Sequence, residues 1–227
     1  MYEQRTHRCD ARIVSISQPY VRPIVRGKLD KAVEFGAKLS ASLNAMGVAC
    51  VDRLSWEAFH EGGVLKSQVE AYRVRHGVYP QVVLADQVYG SRENRRYLKA
   101  HNIRFAGKPL GRPKKLTPAN QQQLKREKAQ RQQDYRQRIP IEGKFGQGKG
   151  GYRLNYIRAK RADTSVAWIN SIFMVMNLLV LLEAFFWSLN PSALWIRWLL
   201  PRLHKRLSMP LPTYPLANRA IWPSYAT

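Results

Sequence analysis

Apolar residues fall into short blocks through the first half of the chain and one long block before residue 190, with a polar stretch between them. ARIVSIS alternates loosely, and Pro19 and Pro23 forbid a helix through QPYVRPIVRG, so residues 11–27 read as extended. VEFGAKLSASL (33–43) and VACVDRLSW (48–56) read as two strands joined by the turn Asn44–Gly47. VLKSQVEAYRVRHG carries apolar residues at Val64, Leu65, Val69 and Tyr72, the pattern of an amphipathic helix stopped by Gly77. QVVLAD (81–86) is a continuous apolar run of strand length, closed by an acid, as in a buried central strand. Ser91 is placed to cap a helix through ENRRYLKAH, and IRFAG (103–107) reads as another short strand.

The second half follows different rules. KPLGRPKKLTP is a basic linker punctuated by proline and glycine. Residues 117–138 are polar and helix-compatible with almost no apolar face, so such a helix lies on solvent or on a ligand. Pro140 and glycines 143, 146, 148, 150 and 151 then predict interrupted structure. Asp163 to Leu189 is a long apolar helix pattern. Val166 to Leu189 contains Asn170, Asn177 and Glu183, and a central acid costs a membrane span about 2.5–3.5 kcal/mol. A buried core helix is therefore the expectation over a span. No order is assigned to the Trp- and Pro-rich tail.

Charge changes this picture. The 227 residues hold 38 Lys and Arg against 15 Asp and Glu, a formal charge of +23. The length allows one or two domains, and 45% hydrophobic residues argue against intrinsic disorder. Residues 104–161 contain 17 Lys and Arg but only Glu127, Asp134 and Glu142 as acids, interleaved with Phe105, Tyr135, Phe145, Tyr152 and Tyr156. That field suits a phosphate-bearing polyanion and excludes an acidic mimic. Two cysteines, Cys9 and Cys50, make neither a disulfide framework nor a Cys-based zinc site, which fits a reduced setting. MYEQRTHRCDARIV lacks the apolar stretch of a secretory signal.

Two acids stand out. Asp86 ends an apolar strand, where an ionised group needs exposure or a cation. Glu142 sits inside the basic field. Converging carboxylates suit Mg²⁺, and two such ions activate an oxygen nucleophile in phosphodiester chemistry. The plainer alternative is an Asp that caps the next helix and a Glu paired to a nearby Arg. Tyr135, Arg138, Glu142 and Lys149 follow the spacing Y-x2-R-x3-E-x6-K. At about 100° per residue they share roughly a 60° sector of an ideal helix.

This spacing resembles the signature of DDE insertion-sequence transposases with a ribonuclease H-like catalytic fold. RIVSISQPYVRPIVRGK, VEFGAKLSAS, VVLADQVYGSRENRRYL, IRFAGKPLGRP and RIPIEGKFGQGKGGYRLNYIRAK are similar to that group, over about residues 11–182. The resemblance implies a mixed α/β sheet flanked by helices, with strands at 33–43, 48–54, 81–86 and 103–106. It implies Asp86 and Glu142 as the second and third catalytic, Mg²⁺-binding acids. Tyr135, Arg138 and Lys149, joined by Arg136 and Lys144, are the implied DNA contacts. The implied partners are insertion-sequence ends and target DNA, in the prokaryotic cytoplasm at the nucleoid. A homodimer is allowed and no membrane is expected.

The family's first acid has no counterpart in this reading: Asp10, Asp30 and Asp52 all fall elsewhere. The expectation is a catalytic domain over 1–182, truncated before its first strand, with a C-terminal helical extension over 183–227. Such a chain alone would be inactive or nearly so. A non-catalytic basic DNA-binding remnant is the second reading, and a membrane-associated basic protein using 166–200 the third.

Overall fold

Residues 12–25, 33–189, 219–222 and 224–226 are described by a computed structural model. The run 33–43 divides at Gly36, whose φ of 129° is open to glycine and strained for other residues. Its first part, β2 (Val33–Phe35), pairs antiparallel with β1 (Pro23–Val25) in a small separate sheet. Its second part, β3 (Lys38–Leu43), pairs antiparallel with β4 (Ala49–Ser55). The Asn44 carboxamide oxygen closes their turn by accepting from the Met46 and Val48 amides.

Helix α1 (Leu65–His76) ends on Gly77 in the left-handed region, whose N–H reaches the Arg73 carbonyl. Strand β5 (Val82–Ala85) leads to α2 (Arg92–Ala100), capped by Ser91 Oγ on the Asn94 amide. Strand β6 (Arg104–Phe105) lies parallel to β5.

The next element corrects the sequence expectation. Helix α3 runs unbroken over Gln121–Gly151, through Pro140 and the glycines. Pro140 removes the bond to the Arg136 carbonyl, but both residues are exposed, so water can satisfy that group. Packing supplies the rest: Ile141, Phe145 and Gly148, at helical spacing, are buried against the sheet and the next helix. A Cβ at Gly148 would stand 3.0 Å from Leu154 Cδ2, so this glycine allows a close approach.

Helix α4 (Ala162–Leu189) also departs from expectation. Ile169, Ile172, Phe173 and Met176 are buried, and Asn177 clamps β4 by accepting from the Ala49 amide and donating to its carbonyl. Beyond that point Leu178, Leu179, Leu181, Leu182, Phe185 and Phe186 are exposed, so only the first half is a core helix. By length and composition, 162–186 is long and apolar enough to cross a membrane.

Two short C-terminal strands, β7 (Arg219–Trp222) and β8 (Ser224–Ala226), complete the main sheet. Its order is β4-β3-β7-β5-β6, with β8 also on β3. One face packs Leu39, Ala41, Leu43 and Leu84 on α3 and α4. The other packs Val83 and Ala85 on Leu65, Val69, Tyr72 and Leu98. The result is the expected mixed α/β architecture. Cys9, Asp10, Asp30 and the 190–218 stretch lie outside the described residues.

Candidate active site

The apolar strand β5 delivers Asp86 at its carboxyl end, where burial of Val83, Leu84 and Ala85 stops. Its Oδ1 accepts from the Gln87 amide at 2.8 Å, and its side chain is 49% exposed. The cap expected of a plain structural Asp is thus present, yet the carboxylate still faces solvent.

Helix α3 delivers the signature residues. Its apolar stripe fixes the helix on the sheet. A second attachment comes from Arg104 on β6, whose guanidinium makes two bonds to the buried Asp134 carboxylate, at 2.6 and 2.8 Å. One turn further along, Arg138 reaches both acids: Nη2 stands 3.0 Å from Glu142 Oε1 and Nη1 4.0 Å from Asp86 Oδ1. The Arg138 guanidinium also lies 5.6 Å from the Tyr135 ring centroid, a cation–π distance. Asp86, Glu142, Arg138 and Tyr135 are therefore brought together.

The remaining expected DNA contacts divide. Arg136 is exposed, and Lys149 is half-buried about 10 Å further along the helix than Glu142, at 1.5 Å per residue. Lys144 departs from the expectation. It is buried, its ammonium donates to the Met176 carbonyl at 3.2 Å, and desolvation lowers its pKa. It points into the α3–α4 contact rather than to a ligand. Exposed Lys125, Arg126 and Lys128 on α3, with Lys108, Arg112, Lys114 and Lys115 in the preceding loop, extend the basic surface.

Two half-exposed carboxylates on rigid elements suit Mg²⁺, which takes one or two protein carboxylates and keeps several waters. Among the described residues, no group of three or more His, Cys, Asp or Glu could hold a metal ion. Asp52 belongs to none of this. Its side chain is 2% exposed, paired with Arg75 at 2.8 Å and contacted by Gln68, and burial raises its pKa despite those partners.

The Arg104–Asp134 pair escaped the sequence reading. Its one signal was an acid beside Tyr135 in a strongly basic segment. Residues 83–179 match the family model described as a transposase DDE domain. No curated protein and no solved structure matches the chain.

Proposed function

Because residues 83–179 match the family model of a transposase DDE domain, we propose that this chain acts on DNA in transposition, by metal-dependent phosphodiester cleavage and strand transfer at insertion-sequence ends. The observation that carries the proposal is Arg138 spanning Asp86 and Glu142, which gathers two carboxylates beside a cationic and aromatic surface. A sheet with helical layers on both faces, and Asp86 at the end of an inner strand, supports a ribonuclease H-like reading.

Asp86 and Glu142 would hold Mg²⁺, which when bound supplies an activated oxygen nucleophile and neutralises charge at the phosphate. Arg138 keeps the two like charges together beforehand and can turn to a phosphate oxygen once a cation relieves it. Tyr135, which is 58% exposed, offers a hydroxyl and a ring to the DNA backbone, and Arg136 and Lys149 add positive charge. The basic loop and the exposed part of α3 would track the duplex outward. The proposed setting is the prokaryotic nucleoid, where a homodimer would present two sites to two DNA ends.

Catalysis is proposed to be slow, since the described residues bring two carboxylates together and two bind Mg²⁺ more weakly than three. The alternative, a DNA-binding protein without cleavage, is favoured by one observation: Arg138 already lies against both carboxylates. Nicking of supercoiled plasmid carrying the element's ends separates the two. The proposal expects slow Mg²⁺-dependent nicking that is lost in Glu142→Ala. Cleavage that survives Glu142→Ala overturns the site, and salt-sensitive binding without any cleavage supports the alternative.

A further inference from the structure

Strand β5 ends in a short 3₁₀ turn, Gln87–Tyr89, which is bonded to the carboxylate before it. Asp86 Oδ1 accepts from the Gln87 amide at 2.8 Å, and the Gln87 carbonyl accepts from the Gly90 amide at 2.9 Å. Two adjacent residues of α2 hold the far end of this turn. The buried Asn94 carboxamide donates to the Tyr89 carbonyl at 2.9 Å and to the Gly62 carbonyl at 2.6 Å, which pins the turn to the core. Arg95 Nε donates to the Gly90 carbonyl at 2.9 Å.

Arg95 also reaches outward. Its Nη2 donates to the carbonyl of Lys108, the first residue of the basic linker 108–118. Hydrogen bonds thus run in sequence from the Asp86 carboxylate through Gln87, Gly90 and Arg95 to the segment that carries Lys108, Arg112, Lys114 and Lys115. The guanidinium sits in a fitted seat, 4.8 Å from the Phe105 ring centroid. A Cβ at Gly90 would stand 2.9 Å from that ring and 3.1 Å from Arg95 Nη2, so glycine lets the turn close on both. Among the described residues no carboxylate forms an ion pair with Arg95, and burial lowers its pKa. A partly desolvated cation without an acid is costly for stability alone. Its planar fork is what lets one side chain hold carbonyls on two separate segments.

We infer that Arg95 is a positioning residue that ties the basic linker to the Asp86 turn, so that one side chain sets both the cation site and the lie of the linker on DNA phosphates. The inference rests on the reading of Asp86 as a cation ligand and of the linker as a DNA contact. Arg95 acts through main-chain carbonyls rather than on the cation or the phosphate. A phosphate contact depends on charge, which lysine keeps, whereas the tie depends on the fork, which lysine lacks.

The test compares the full native chain with Arg95→Lys and Arg95→Gln, whose melting temperatures report folding. Mn²⁺ binding is followed by electron paramagnetic resonance, and binding of a short random-sequence duplex by fluorescence anisotropy across salt. Arg95→Lys should weaken both the Mg²⁺-competed Mn²⁺ component and the duplex by about threefold, the worth of one hydrogen bond. Its salt slope should stay unchanged, because the charge count is kept. Arg95→Gln should show the same Mn²⁺ loss. Asp86→Asn is the control for the site: a Mn²⁺ component that survives it overturns the cation-site reading and this inference with it. A native chain that leaves the duplex unbound does the same through the DNA reading. If Asp86→Asn abolishes the component but the Arg95 variants bind both ligands as the native chain does, only the inference falls. Weakening of one ligand alone, or a reduced salt slope in Arg95→Lys, overturns the tie, since Arg95 then serves one side or meets phosphate itself. Unfolding of both variants overturns the positioning role, because Arg95 then holds the fold.

Discussion

Arg104 and Asp134 form a two-pronged ion pair that fastens α3 to β6, the strand beside the one that carries Asp86. Asp134 is 5% exposed and Arg104 45%. The acid also accepts from Gln130 at 3.0 Å, and its bonds hold the Arg104 pKa up. Removing the arginine would leave a buried charge without its main partner. Arg104→Ala should cost about 2 kcal/mol, below the roughly 3–5 of fully buried pairs because nearly half of the arginine side chain meets solvent. Arg104→Lys should recover only part, since an ammonium cannot make both bonds. Urea midpoints at unchanged m-value measure both, and a cost near zero for Arg104→Ala would show that α3 is held by its apolar stripe alone.

Lys144 and the less buried Arg136 and Lys149 should separate stability from DNA binding. Lys144→Met removes a desolvated cation at the α3–α4 contact and is expected to be neutral or up to about 1 kcal/mol stabilising, with DNA affinity unchanged. Arg136→Ala and Lys149→Ala should each lower the salt slope of DNA binding by about 1 while leaving the melting temperature unmoved. A loss of DNA affinity in Lys144→Met would contradict its place in the core.

Asp52 gives a pH signature. Its folded pKa is raised, chiefly by burial, so its contribution to stability is fully present below the ordinary carboxylate value of about 3.9 and is lost as pH rises through the folded value. Asp52→Asn should therefore gain stability relative to the native chain as pH rises above about 4. Thermal unfolding across pH 3.5–7 reads this difference. An opposite slope would mean that Arg75 outweighs desolvation.

Pro140 tests how α3 is stabilised. Pro140→Ala restores an N–H to the Arg136 carbonyl on an exposed face of a helix that is already continuous. A gain of about 1 kcal/mol is expected, less than the roughly 3 of an unsupported helix interior because water serves that carbonyl. Denaturant unfolding that shows a loss would mean the helix relies on the bend that proline imposes.

These residues also show what a linear reading can and cannot reach. The apolar run 81–86, the Ser91 cap and the Tyr135–Lys149 spacing were legible because each depends on neighbours a few positions away. Pro140 misled because propensity argues locally, while Ile141, Phe145 and Gly148 bury one stripe of the same helix in the core. Lys144 looked like a member of the basic field, since charge alone does not say which way a side chain faces. The divided α4 and the placement of 219–222 beside β5 depend on packing over long sequence separation, which no period reveals.

The central claim is that Asp86 and Glu142 form one cation site, and Mn²⁺ titration followed by electron paramagnetic resonance measures it directly. The native chain should bind Mn²⁺ with a component that Mg²⁺ competes away. Asp86→Asn and Glu142→Gln should each weaken that component at least about tenfold, as expected when one of two carboxylates is lost from a hard-cation site. Binding that is unchanged in both variants would contradict the account.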